Sequence, residues 1–142
     1  MLKGNNSGKK LTLLVVILVI VVLFVFIIRI FLIDSAKYTR SNWAYYALLT
    51  PEVIKKSPLI SDNYSIHYDA QDGNKPEANV ITFYNVNDAK QLREYLLSSN
   101  YKLEGMTEFG EEWRPQGRTG YVVYLNVYHA PDEVVMAVMG VD

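Results

Sequence analysis

Hydrophobic residues follow three different patterns along this chain, and each predicts a different kind of element. The first pattern is an unbroken run. Between Lys10 and Asp34 lies LTLLVVILVIVVLFVFIIRIFLI, 23 residues of which only Thr12 and Arg29 are not plainly hydrophobic. As a helix, Leu11–Ile33 would be roughly 34 Å long, enough to cross a hydrocarbon core of about 30 Å. A helix apolar on every face finds its natural solvent in lipid, so the run predicts a transmembrane helix over 11–33. A cleaved signal peptide would need a shorter apolar stretch and small residues before the cut. Here Leu11–Ile28 carries no charge, and the nearest small residue, Ala36, has Asp34 two places before it.

The second pattern is alternation. Tyr64, Ile66 and Tyr68 fall on one side of a strand and Ser65, His67 and Asp69 on the other. The turn cluster Asp72-Gly73-Asn74 then leads to a second strand over Asn79–Val86, which together predict a hairpin. Tyr101–Met106, Tyr121–His129 and Glu133–Val141 read as three further strands. The last two, rich in VVYLNVY and VVMAVMGV, are expected at the centre of a sheet covered on at least one face.

The third pattern is helical. Ala89, Leu92, Tyr95 and Leu96 form one stripe, with Lys90, Arg93 and Glu94 off it, behind a cap at Asn87 or Asp88 and before a left-handed Asn100. Thr50-Pro51-Glu52 reads as an N-cap, an N1 proline and a first-turn acid opening a short helix that Pro58 limits. Ser35–Leu49, free of Pro and Gly, is expected to extend the membrane helix or bend along the interface, with Tyr38 in the aromatic belt. The order of elements predicts an α+β domain: a mainly antiparallel sheet of about five strands with two or three helices laid on one face. The organisation expected is thus a short basic tail over 1–10, a transmembrane helix over 11–33 and one domain over 34–142.

Charge is divided along the chain. The tail carries Lys3, Lys9 and Lys10 and no acid, while 34–142 carries ten Lys or Arg against fifteen Asp or Glu, a net of −5. That sign disfavours nucleic acid, which needs clustered cations against phosphate. Lys and Arg near the span number three on each side if Arg29 is counted after it, so the charge rule is nearly balanced. The acid-free tail favours a cytoplasmic N-terminus and a domain outside the cytoplasm, at the plasma (inner) membrane and periplasmic in a cell with two membranes. From Leu13 to Ile33 there is no Gly, Ala, Ser or Thr, hence no small-xxx-small face for close helix packing. With no cysteine there are no disulfides, thiolate metal sites or lipidated cysteines.

Chemistry-bearing patterns are sparse. His67 and His129 lie far apart in sequence and neither has metal-ligand spacing. No phosphate-cradling glycine loop or nucleophile elbow occurs, and no cofactor is expected. Gly105, Gly110, Pro115, Gly117 and Gly120 break up the stretch between two strands, so 108–118 is expected as an adaptable loop. It holds Glu108, Phe109, Glu111, Glu112, Trp113, Arg114 and Arg118. Trp and Arg are enriched at protein-binding hot spots, which makes this loop the first candidate partner surface. Trp43 and Tyr46, at i and i+3 of a juxtamembrane helix, are a second. The alternative reads the same acids as general acid–base groups, with Trp113 as a platform for sugar or another envelope ligand. The layout resembles small bitopic bacterial envelope proteins, accessory subunits and toxin-immunity proteins among them, in architecture only. The function expected is that of a membrane-anchored, non-enzymatic interaction domain with a protein partner.

Overall fold

The computed structural model describes residues 6–117 and 120–140. The chain forms two compact units, Met1–Ile33 and Asp34–Asp142. In the first, α1 spans Asn6–Phe31. Its Gly8–Ile30 stretch is long and apolar enough to cross a membrane, a property it shares with signal sequences near an N-terminus. Thr12 donates its hydroxyl to the Gly8 carbonyl at 3.0 Å. The one hydroxyl of the run is thereby satisfied within the helix.

The second unit is a seven-stranded, wholly antiparallel sheet with three short helices. In chain order these are β1 (Ser35–Tyr38), α2 (Trp43–Leu49), α3 (Glu52–Lys55), β2 (Tyr64–Asp69), β3 (Ala78–Tyr84), α4 (Lys90–Ser98), β4 (Tyr101–Thr107), β5 (Gly110–Pro115), β6 (Tyr121–His129) and β7 (Asp132–Gly140). Spatial order is β1-β2-β3-β7-β6-β5-β4. Two meanders therefore meet where β3 pairs with β7, in register from Ala78 opposite Met139 to Tyr84 opposite Glu133.

One side of the sheet is the core. Ile66, Ile81, Met136 and Leu125 lie in register across four strands and are fully buried, flanked by Phe83 with Val134 and by Val138 with Val123. All three helices cover this side. Leu92 and Leu96 of α4 are fully buried, as is Ile54 of α3, and each such side chain contributes roughly 1.5–3 kcal/mol. The Tyr95 hydroxyl donates to the Val53 carbonyl at 2.8 Å and so ties α4 to α3. Asn100 takes φ 65°, the stop expected for α4, but the N-cap residue is Ala89 without a side-chain cap, and Asp88, one residue earlier, accepts from the Lys90 amide at 2.8 Å. Asn85, at φ 59°, ends β3.

Several expectations are corrected. The sheet has seven strands rather than about five. One added strand is β1, inside the stretch read as helix. Ser35–Tyr38 pairs with Ile66–Asp69, so the backbone gains a ladder with β2, which a helical turn after Asp34 would forfeit. As a result Tyr38 is not a belt residue: it is buried against Tyr45, with ring centroids 5.9 Å apart, and bonds Thr50 through its hydroxyl at 3.0 Å. That bond also occupies the Thr50 hydroxyl, so α3 starts one residue later than read, with Pro51 as its extended N-cap residue. The other added strand is β5, within the stretch read as a loop.

Candidate functional site

The nine residues singled out in the sequence do not form one surface. Thr107 shapes the β4–β5 turn, accepting from the Phe109 amide at 3.1 Å and donating to the Gly110 carbonyl at 3.1 Å. Glu108 and Phe109 form its exposed tip. Gly110 follows at φ 105°, where a side chain is strained, and a Cβ there would come within 2.5 Å of the Leu125 carbonyl oxygen. From Gly110 on, strand alternation sends neighbours to opposite sides of the sheet.

Glu111 and Trp113 point to the core side. The Arg93 guanidinium of α4 donates to the Glu111 carboxylate at 2.8, 2.9 and 3.1 Å, and the Trp113 indole N–H donates to the same carboxylate at 3.1 Å. Those hydrogen bonds raise the Arg93 pKa further, against the opposing pull of partial burial. Trp113 is only 3% exposed. This pair therefore fastens α4 to β5, and the indole offers no face for stacking a ligand. Glu112 and Arg114 point to the other side and bond each other at 2.6 Å. Arg118 lies outside the described residues.

Trp43 and Tyr46 do share α2, but their surroundings differ. Trp43 is 74% exposed, whereas Tyr46 is half-buried, with the Arg40 guanidinium over its ring at 5.6 Å and its hydroxyl donating to the Lys55 carbonyl.

A surface not singled out in the sequence is the side of the sheet that bears no helix. Its central floor comprises Val80 and Thr82 of β3, Val135 and Ala137 of β7, and Tyr124 and Asn126 of β6, each half-buried. No charged residue stands among these six. Phe109 leans over the floor, edge-on to Tyr124 with ring centroids 5.8 Å apart, and joins the turn tip to it. Polar pairs rim the floor on both flanks. On β2, Asp69 lies 3.3 Å from His67 and 3.5 Å from Lys75; burial raises the Asp69 pKa, but His67 and Lys75 outweigh it and leave the carboxyl below its usual value. On β5 the rim is Glu112 with Arg114. At one end, Ser65 bonds Tyr84 at 2.9 Å and Asn126 donates to the Tyr128 hydroxyl at 3.1 Å.

In the sequence, Tyr121–His129 and Glu133–Val141 read as continuously apolar strands, and β3 is similar in character. Their second faces are nearly as apolar as their first, and that was the signal for this surface: a strand exposed on one side ordinarily carries polar residues there.

No three His, Asp or Glu side chains converge to hold a metal among the described residues. His67 and His129 belong to β2 and β6, three strand spacings or about 14 Å apart at the usual interval. His129 sits opposite Asp132 at the β6–β7 turn. No family model, curated protein or solved structure matches this chain.

Proposed function

We propose that this chain is a single-pass membrane protein with a cytoplasmic N-terminus, whose 34–142 domain stands outside the cytoplasm and works by binding a protein partner rather than by catalysis. The helix-free side of the sheet, with its uncharged centre, carries the reading. The six floor residues, two on each of three strands at about 4.8 Å spacing, cover roughly 200 Å², and the charged rims on β2 and β5 extend the surface to roughly 500 Å². Floor and rim together are more than half of the ~800 Å² that one partner contributes to a stable interface. An uncharged centre within a charged rim is the usual composition of such an interface. The net charge of −5 over 34–142 suits a basic partner, as an immunity- or inhibitor-type protein or an accessory subunit would have. The burial of Trp113 and the pairing of Glu111 and Glu112 leave the alternative, acid–base chemistry at 108–118, without a free platform or free acids beyond Glu108.

The test is copurification of the full chain from detergent extracts, comparing wild type with Ala137→Glu at the centre of the floor and Lys90→Glu on α4. A stoichiometric partner retained by Lys90→Glu and lost by a folded Ala137→Glu supports the reading. Retention by both variants, or no stoichiometric partner at all, sinks it. Reporter fusions after residue 142 test sidedness, and activity of a cytoplasm-only reporter would reverse the topology.

A further inference from the structure

Helix α2 reads WAYYALL, without a charged side chain. Leu49 is buried, Tyr45 packs edge-on against Tyr38 and the Tyr46 hydroxyl reaches the Lys55 carbonyl, so these three face inward. At about 100° per residue, Trp43, Ala44, Ala47 and Leu48 then occupy an outward arc of about 140°. Trp43 is 74% and Leu48 42% exposed. The outward face of a water-facing helix carries charged or polar residues; this one carries none.

The charge around the helix is also unlike the rest of the domain. Beside it stand Arg40, Lys55 and Lys56 against Glu52, which both lysines reach at 3.5 and 3.4 Å, a net of +2 inside a domain of −5. Two of these cations touch α2 directly: Arg40 lies over the Tyr46 ring, and Lys55 donates to the Ala47 carbonyl at 2.9 Å. The segment is, moreover, the first part of the domain after α1. Only two residues, Leu32 and Ile33, separate Phe31 from Asp34, and the three Cα–Cα steps reach at most about 11 Å.

Resting on the reading of α1 as a membrane anchor, we propose that α2 is an interfacial helix that docks on the surface of an anionic bilayer. Trp43 and Leu48 enter the boundary between headgroups and acyl chains, where an indole places its ring in hydrocarbon and its N–H in the polar layer. The surrounding cations meet the lipid phosphates of an anionic surface. The partner chemistry is fixed by the combination. An apolar strip within a basic border complements anionic lipid, whereas the acidic remainder of the domain is repelled by it. This second contact removes the free rotation that a single tether leaves to the domain.

The test uses the full chain in vesicles of phosphatidylcholine with or without phosphatidylglycerol. Emission lost in Trp43→Phe relative to wild type belongs to Trp43, while the buried Trp113 reports that both chains are folded. Lipids brominated near the headgroup should quench most of the Trp43 emission, and aqueous iodide should leave it nearly unchanged. The bromolipid quenching should fall at least twofold without phosphatidylglycerol, or in Arg40→Glu/Lys56→Glu. Iodide quenching of Trp43 in a chain that resists alkaline extraction overturns the interfacial placement alone. Shielding from iodide only on addition of a protein partner also overturns it. Extraction of the chain by alkali overturns the anchor and this inference together.

Discussion

Glu111 offers a quantitative test of how β5 is held. Glu111→Ala removes the acceptor of both the Arg93 guanidinium and the Trp113 indole N–H, at 2.8–3.1 Å. The indole is buried, and an N–H left there without an acceptor costs about 1–3 kcal/mol. Arg93 is 39% exposed on its side chain, so water cushions the loss of its ion pair to about 0.5–1 kcal/mol. The sum, about 1.5–4 kcal/mol, is a large share of the roughly 5–15 kcal/mol of a typical domain. Glu111→Gln keeps an oxygen for the indole, and Arg93→Ala keeps the whole carboxylate for it. Each should cost about 1 kcal/mol, and the coupling between Arg93 and Glu111 in the double mutant should be about 0.5–1.5 kcal/mol. Urea unfolding of the full chain in mild detergent, followed by tryptophan emission, measures this as a shift in midpoint at constant slope. The reasoning is refuted if Glu111→Ala lies within about 0.5 kcal/mol of wild type, or if Glu111→Gln proves the more damaging of the two. A partner that binds Glu111→Gln less tightly than its folded fraction explains would return Glu111 to the binding surface.

Other perturbations address separate parts of the fold. Gly110→Ala places a Cβ against the Leu125 carbonyl at a left-handed φ and should cost at least about 2 kcal/mol by thermal unfolding, whereas Gly117→Ala, with open space around it, should stay within about 0.5 kcal/mol; equal effects would contradict the geometry. Tyr38→Phe strands the buried Thr50 hydroxyl and should lower stability by about 1 kcal/mol, with Tyr38→Phe/Thr50→Val recovering part of the loss; additive losses would show that the bond is not the cause. Because the Asp69 pKa is depressed in the folded state, its contribution is fully present above the unfolded value of about 3.9 and disappears as pH falls through the lower folded value. With Asp69 partly exposed, the effect is below about 1 kcal/mol, and Asp69→Asn should flatten that part of a melting-temperature profile; an unchanged acid limb contradicts the pairing.

How much of this was legible in the sequence depended on whether a segment's pattern answered to local or to distant neighbours. The Tyr64–Asp69 alternation and the α4 stripe carry their own period, and their elements follow within a residue; the apolar run is equally local, though α1 starts five residues before it and ends two residues short of its close. Ser35–Tyr38 does not. Four residues cannot establish a period, and β1 exists because β2, some thirty positions later, offers it a partner. β5 was hidden for a different reason. Glu111 and Glu112 look like loop residues until Arg93 on α4 and Arg114 on the same strand are brought to them. Backbone pairing with β4 and β6, with a guanidinium partner from α4, thus makes a strand of an apparent acidic loop. The helix-free floor was readable in principle, since both faces of β3, β6 and β7 are apolar, but that same character also describes strands covered on two sides.

The strand order has a consequence for synthesis. β7, the last strand of the sheet in chain order, occupies its middle, between β3 and β6. Until Asp132–Gly140 has been made, β1–β3 and β4–β6 are two separate ribbons, each ending in a hydrophobic edge with unpaired amides. Domains usually fold as their N-terminal parts emerge, but here the early parts can only wait, exposed to pairing with the wrong edge. A ribosome that stalls before Asp132 would release a chain lacking its keystone rather than a trimmed border. Quality control would meet the whole domain open.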